Sequence, residues 1–136
     1  MSDKKGQSNK PRRMLSIDGG IRCMIAVEIL VALEAKIRDE TGDNSQLLCD
    51  QFDLIAVTSS GAMVGAAIAT GRSMSEVREF VTQNAIHMRK PALWHSRLRS
   101  LYDKDAVAGH LQDFFGVDTT LGSDKLKSLL LMVLRN

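Results

Sequence analysis

The chain has 136 residues, a length that suits one domain with a substantial buried core. Hydrophobic residues make up 44% and charged residues 25% of the sequence, which excludes collagen-like and wholly disordered proteins. The formal net charge of +2 is too small to indicate nucleic acid as a partner. Aromatic residues make up only 4%, so the apolar content comes mainly from aliphatic residues and Met, which suit helices packed on a sheet.

A basic tail, a strand and a long helix are predicted first along the chain. Residues 1–12 are polar and basic, and we expect them to be disordered, with the domain spanning 13–136. Met14 to Ile17 is a short apolar run that stops at a Gly-rich turn, which predicts a buried strand. Arg22 to Thr41 predicts a helix that is apolar nearly all round at first, so its first half should be buried.

The second half of the chain predicts two more strands separated by three helices. A continuous apolar run near the end suits a central strand of a parallel sheet. The predicted order is a strand at Phe52 to Val57, a small-residue helix from Gly61 closed by Gly71, helices at Met74 to Met88 and Asp103 to Phe115, and a strand at Ser128 to Leu134.

The order of these elements predicts an α/β fold, a parallel sheet with helices on its faces. Cys23 and Cys49 stand in a chain that shows no signal-peptide pattern, so we expect unpaired thiols in a reducing cytosol. No apolar window approaches the roughly 18 residues of a membrane span. The sequence therefore predicts a cytoplasmic protein. Peripheral binding to a membrane surface is compatible with this prediction.

Two strand-to-helix turns carry residues suited to chemistry. In the first, Gly19 and Gly20 can expose backbone N–H groups at a helix N-terminus, where an oxyanion or phosphate is favoured. In the second, Ser59 follows a strand directly and precedes Gly61, an arrangement that presents a hydroxyl at the tip of a sheet. Together they predict a serine nucleophile beside an oxyanion cradle, as acyl transfer requires. Nucleotide binding is the weaker alternative, because no phosphate-loop pattern is present.

The two turns also resemble motifs of a known family. Asp18-Gly19-Gly20-Ile21-Arg22 resembles the Asp-Gly-Gly-Gly-x-Arg-Gly oxyanion motif of the patatin-like phospholipases, and Thr58-Ser59-Ser60-Gly61 resembles their Gly-x-Ser-x-Gly elbow. The likeness extends through FDLIAVTSSG and LKSLLLMVLRN, so it covers most of the chain from Arg13 onward. It implies a three-layer α/β/α fold with helices on both faces of the sheet. This chain would then hold the N-terminal portion of that fold, and the fold would be incomplete in it.

The resemblance implies hydrolysis of acyl esters in phospholipids or related lipids by a Ser-Asp dyad, without metal or organic cofactor. Among bacterial members the chain is similar to effector phospholipases activated by cyclic dinucleotides, which adds such an activator to the lipid as an expected partner. The family roles fall on Ser59 as nucleophile, on Gly19, Gly20, Ile21 and Arg22 as the oxyanion hole, and on Thr58, Ser60 and Gly61 as the elbow.

Three departures from the family pattern lower the expected activity. Two glycines stand where the motif has three, and Cys23 replaces its last glycine, so an amide donor is lost. Val57 replaces the first glycine of the elbow, where a β-branched side chain is expected to strain the turn or displace Ser59. No Asp-Gly follows Ser59, so the dyad acid is unidentified. We expect a truncated or degenerate hydrolase that is poorly active alone; the alternative is a non-catalytic homologue that binds lipid or protein.

A basic stretch over residues 87–99 leaves two interpretations open, a solvated loop and a membrane interface. It contains no acidic residue and has Trp94 near its centre, and its Arg and Lys residues are Arg89, Lys90, Arg97 and Arg99. The solvated loop is favoured because runs of charge usually face water, although Trp beside basic side chains suits a membrane surface. His87, His95 and His110 show no spacing typical of a catalytic base, so surface or packing roles are expected for them.

Overall fold

The computed structural model of the protein describes residues 11–20, 23–88 and 104–133. Within these ranges it has three β-strands, four α-helices and one short 3-10 helix. Apolar runs that stop before Asp18 and before Ser59 set the ends of the first two strands, and the helix bounds lie within two residues of those predicted. In chain order the elements are β1 (Met14–Ile17), α1 (Cys23–Thr41), the 3-10 helix (Leu48–Asp50), β2 (Leu54–Thr58), α2 (Gly61–Ala69), α3 (Met74–Met88), α4 (Lys104–Phe115) and β3 (Leu129–Val133).

The three strands form one parallel sheet in the order β1-β2-β3. Val57 of β2 pairs with Ile17 on one side and with Met132 on the other, which fixes the register. Parallel neighbours require crossover connections, and α1 supplies the first while α2 to α4 supply the second. The α/β class is therefore confirmed, and it is consistent with an incomplete three-layer fold.

The strand in the middle of the described sheet is β2, and β3 lies at its edge. Within the described residues β3 pairs on one side only, so the expectation that its apolar run makes a central strand stays a prediction. Hydrophobic residues run continuously through β3 because both of its faces are apolar, which by itself does not show that two neighbouring strands flank it.

One face of the sheet is covered closely by α2. Ile55 and Val57 are fully buried on this face, and a β-carbon at Gly65 of α2 would lie only 2.3 Å from Val57 Cγ1. The absence of a side chain at Gly65 thus makes room for the β-branched side chain of Val57. The bulk expected to strain the serine turn is taken up by the helix that packs beneath it.

The opposite face of the sheet is apolar and exposed in the described ranges. Met14, Leu129, Leu131 and Val133 point to this side, and Leu129 retains 66% of its accessible surface. Right-handed crossovers that advance along a sheet in one direction place their helices on the same side. That rule accounts for one covered and one open face.

Helix α1 buries a single stripe rather than its whole first half. Val27 and Leu30 are buried, whereas Ile25 and Ile29 keep 60% and 62% of their surface. The expectation of a fully buried first half is therefore wrong, because α1 packs chiefly on α3 and turns its other side outward. Further along the stripe, the buried Glu34 accepts a hydrogen bond from the backbone N of Met74 at 3.1 Å and joins α1 to the start of α3.

The two cysteines are free and buried, as predicted for unpaired thiols. Burial raises the pKa of Cys23 and that of Cys49 above the ordinary thiol value. A raised pKa leaves less thiolate at neutral pH, so both thiols are poor nucleophiles.

Three predicted features lie outside the described residues. They are the tail over residues 1–10, the oxyanion positions Ile21 and Arg22, and the basic stretch from Arg89 to Arg99 with its Trp94. The membrane-contact interpretation of that stretch stays a prediction. Among the helices that the structure does describe, none is long and apolar enough to cross a membrane.

Candidate active site

The glycine turn after β1 and the serine turn after β2 are in direct contact. Because β1 and β2 are parallel neighbours, both turns leave the same edge of the sheet. A β-carbon at Gly19 would lie 2.6 Å from the carbonyl oxygen of Thr58 and 2.7 Å from Ser59 Cβ. A β-carbon at Gly61 would in turn lie 3.0 Å from the carbonyl oxygen of Ile17. Each turn therefore needs a glycine where it faces the other.

Ser59 occupies the tip of the serine turn in an uncommon backbone conformation. Its φ is +48°, and it is the one non-glycine residue with positive φ in the described ranges. Its backbone N donates to the carbonyl oxygen of Val133 at 3.3 Å, and its own carbonyl oxygen accepts from the backbone N of Ala62 at 3.0 Å. The side chain is exposed. These contacts hold the residue in the sharp turn that the sequence predicted.

The backbone N–H groups of the glycine turn are already engaged inside the chain. The backbone N of Gly19 donates to Asp18 Oδ1 at 2.8 Å and approaches Thr58 Oγ1 at 3.1 Å. The backbone N of Gly20 donates to Ser60 Oγ at 2.8 Å. The two amides proposed as oxyanion donors thus have protein acceptors, and an anion must displace an acceptor to reach either one.

Asp18 ties the two turns together. Its Oδ1 accepts a hydrogen bond from Thr58 Oγ1 at 2.5 Å in addition to the one from Gly19. These two bonds, that of the Thr58 hydroxyl first, lower the pKa of Asp18 below the ordinary aspartate value. The carboxylate is therefore ionised at neutral pH and acts as a hydrogen-bond acceptor rather than as a proton-accepting base.

A base for Ser59 is not assembled within the described residues. None of them forms a hydrogen bond with Ser59 Oγ. The same part of the chain contains no group of three or more His, Cys, Asp or Glu side chains placed to hold a metal ion. Among the described residues, the exposed hydroxyl of Ser59 therefore has no partner that would accept its proton.

Two contacts between the turns were not predicted from the sequence. Thr58 and Ser60 were assigned to the elbow by position, without a role for their hydroxyl groups. In the structure the Thr58 hydroxyl accepts a hydrogen bond from the backbone N of Gly19, and the Ser60 hydroxyl accepts one from the backbone N of Gly20. The partners are 39 and 40 residues apart in the sequence. The signal available was the pair of hydroxyl residues flanking Ser59, but only the pairing of β1 with β2 shows which amides they meet.

Fold and turns define an α/β protein with a serine held in a sharp turn at the end of a parallel strand. No protein-family model matches the chain. Among curated proteins, it is 27% identical over 130 residues to the cGAMP-activated phospholipase of Vibrio cholerae, an alignment covering 87% of this chain and 37% of that protein. It is 30% identical over 95 residues to patatin-like phospholipase 1 of Plasmodium falciparum, which covers 69% and 12% of the two chains.

A third relative carries a different description. The probable inactive patatin-like protein 9 of Arabidopsis thaliana is 35% identical over 79 residues, covering 54% of this chain and 21% of that protein. The chain is thus similar to patatin-like phospholipases, and the resemblance carried by the two turns is confirmed. It spans 37% of the length of the Vibrio relative and smaller shares of the other two.

Proposed function

We propose that this chain carries the nucleophile and oxyanion turns of a serine acyl hydrolase that cleaves ester bonds in phospholipids or related lipids. The observation that supports it best is the conformation of Ser59, which is exposed at φ +48° at the end of β2. A strained residue at the tip of a sheet, packed against a glycine turn, is typical of a nucleophile elbow. The similarity to proteins named phospholipases supports the substrate class.

The proposed reaction begins at Ser59 Oγ. The oxygen forms a bond to the ester carbonyl carbon and its proton passes to a base, while the carbonyl oxygen gains negative charge. The bond to the leaving alcohol then breaks, the alcohol takes the proton, and water releases the acid from the acyl-serine. The resemblance implies an aspartate as base, and no Asp-Gly follows Ser59 in this sequence. The proposal therefore includes slow turnover by the 136-residue chain alone.

A fluorophosphonate probe tests the assignment of Ser59. We expect slow labelling of Ser59, identified by peptide mass spectrometry, and complete loss of that label in Ser59→Ala. Ser75→Ala is the matched control, because Ser75 is an exposed serine in α3 away from the turns. A chimera that appends the remainder of the Vibrio relative should label faster. Absence of a Ser59 label in both the chain and the folded chimera would contradict the proposal.

A non-catalytic lipid-binding role is the second candidate, favoured by the engaged amides of Gly19 and Gly20. The name of the Arabidopsis relative, a probable inactive protein, points the same way. In that case the chain should cosediment with vesicles of anionic phospholipid and show no ester hydrolysis. Measurable release of fatty acid that is lost in Ser59→Ala would eliminate this candidate.

A cyclic dinucleotide is a further element of the proposal. Its support is the name of the Vibrio relative, which is activated by cGAMP. Calorimetric titration of the chain with cGAMP, with GMP as control, should give saturable heat for the cyclic ligand alone.

We also propose a cytoplasmic location, which is supported by the free thiols of Cys23 and Cys49. Peripheral contact with membranes is part of this proposal, and it is supported only by the sequence of the basic stretch with its Trp94.

A further inference from the structure

We propose that Ser60 is a positioning residue that guards the Gly20 amide: its hydroxyl occupies this donor and must turn away before the amide can bind an oxyanion. The inference rests on the proposed role of the serine turn. It adds a regulator inside the turn, one residue after the nucleophile, which the family motif leaves as an unspecified position.

The first support is the unusual use of the Ser60 side chain. Ser60 is the N-cap residue of α2, and an N-cap serine usually accepts a hydrogen bond from an amide in the first turn of its own helix. Here its backbone is helical, with φ −63° and ψ −22°, and the side chain makes no capping bond. The hydroxyl accepts instead from the backbone N of Gly20 at 2.8 Å. Its hydrogen-bonding capacity serves the neighbouring turn rather than α2.

The second support is the contrast between the two glycine amides. The amide of Gly19 is shared by the Asp18 carboxylate and the Thr58 hydroxyl, and Gly19 is enclosed by backbone atoms of the serine turn. The amide of Gly20 has one neutral acceptor, and a β-carbon at Gly20 would meet nothing within 4 Å. Hydrogen bonds to a charged acceptor are stronger than those to a neutral hydroxyl. A substrate oxygen therefore displaces Ser60 from Gly20 more easily than it displaces Asp18 from Gly19.

The third support is that the guard can leave at small cost. Rotation of Ser60 about χ1 moves its hydroxyl away from Gly20 without moving the backbone. It also breaks the long contact in which the Ser60 hydroxyl donates to the Gly20 carbonyl oxygen at 3.4 Å, which adds little because of its length. The net value of one neutral hydrogen bond corresponds to about a two- to twelve-fold change in an equilibrium or rate. Removing the hydroxyl should therefore raise the rate of a reaction that needs the Gly20 amide by about that factor.

The rate at which a fluorophosphonate probe labels Ser59 measures access to the Gly20 amide. In this reaction Ser59 Oγ forms a bond to phosphorus, the P–F bond breaks, and fluoride leaves while the hydroxyl proton passes to solvent. The phosphoryl oxygen gains charge and accepts from the freed Gly20 amide. Ser60→Ala and Ser60→Gly should react about two- to twelve-fold faster than the parent chain. Ser60→Thr keeps a hydroxyl, so it should react more slowly than these two hydroxyl-free variants. Ser75→Ala is the control for loss of a serine hydroxyl elsewhere.

A spectroscopic readout separates the guard from a merely structural effect. In ¹⁵N NMR spectra the Gly20 amide should exchange with solvent faster in Ser60→Ala and Ser60→Gly than in the parent, Ser60→Thr and Ser75→Ala. An unchanged Gly20 amide, or slower Ser59 labelling in either hydroxyl-free variant that remains folded by circular dichroism, would overturn the guard. Absence of Ser59 labelling in every variant would instead overturn the proposed function, and with it the purpose of the guard.

Discussion

The glycine turn and the serine turn lie side by side at one edge of the sheet, yet they contribute in opposite ways. The glycine turn offers backbone amides from Gly19 and Gly20, and the serine turn offers the hydroxyls of Thr58 and Ser60 that accept from them. One turn needs the absence of side chains, and the other uses two of them. The comparison shows that a glycine turn does not make an oxyanion site by itself, because the neighbouring turn decides which of its donors are free.

The largest effect is expected from Gly19→Ala, which would force the two turns apart. The added β-carbon would lie within 2.9 Å of Thr58 O, Ser59 Cβ and Ser60 N. Two of these are backbone atoms and the third is fixed directly to the backbone, so none of them can move away easily. We expect a loss of about 1–3 kcal/mol in the free energy of unfolding and no labelling of Ser59. Urea unfolding and the fluorophosphonate assay measure the two effects.

Gly122→Ala is the matched control, since a β-carbon there would meet nothing within 4 Å. It should leave both the unfolding midpoint and the labelling rate close to those of the parent chain. Equal stability of Gly19→Ala and Gly122→Ala would show that the turns are not in the close contact described.

A smaller effect is expected behind the serine turn, from Gly65→Ala in α2. Its β-carbon would lie 2.3 Å from Val57 Cγ1, so the helix must move outward or Val57 must leave its position. Overpacking costs about 1–3 kcal/mol, and the better helix propensity of Ala returns up to about 1 kcal/mol. Thermal or urea unfolding should show a net loss of stability.

Gly109→Ala in α4 is the control, because a β-carbon at this helical glycine would contact nothing within 4 Å and should stabilise the chain slightly. Val57→Ala in the Gly65→Ala background should recover part of the loss, so a double-mutant cycle over these two positions should be non-additive. Additive behaviour would contradict the account of how Val57 is accommodated.

The smallest effect is expected from Thr58→Val, which removes one acceptor of the glycine turn and the donor to Asp18. The Asp18 pKa should rise toward the ordinary aspartate value, because the Thr58 hydroxyl is the main cause of its lowering. A carboxyl pKa lowered by folding stabilises the folded state above the unfolded-state pKa, and this stability is lost as pH falls through the folded-state pKa. The variant should show less of this acid dependence.

Carbon-13 NMR titration of the Asp18 carboxyl group, with Ser75→Ala as the control, measures the shift. We expect the Asp18 pKa to be the same in the parent and in the control, and to be lower in both than in the Thr58→Val variant. An identical Asp18 titration in all three proteins would mean that Thr58 does not hold the carboxylate.

Much of the fold could be predicted because local signals set the element boundaries. The end of β1 at Ile17 follows from the Asp and Gly residues that come next, and the start of α3 at Met74 follows from the capping residues Ser73 and Glu76, which bond reciprocally. The position of Ser59 at the tip of a sharp turn was predicted in the same way, from an apolar run that stops at small polar residues. Such signals depend on only a few neighbouring residues, so they set the ends of strands and helices whatever the rest of the fold.

Burial was harder to predict, because it depends on which partner covers each face. Ile25 and Ile29 are as apolar as Val27, yet only Val27 faces α3 and the core. Likewise the apolar run of β3 carries no information about whether a strand lies on one side of it or on both. An apolar side chain favours burial, but the tertiary arrangement decides whether another element covers it.

The sequence by itself determined the α/β class, the order of the strands and α-helices with their approximate bounds, and the two turns that bring a serine and two glycines to one edge. Only the tertiary structure decided which acceptors those glycine amides meet, and hence that Ser60 covers Gly20. The physical reason is that a hydrogen bond requires its atoms to be placed to within tenths of an ångström. Residues 40 positions apart reach such placement through strand pairing and helix packing rather than through local sequence.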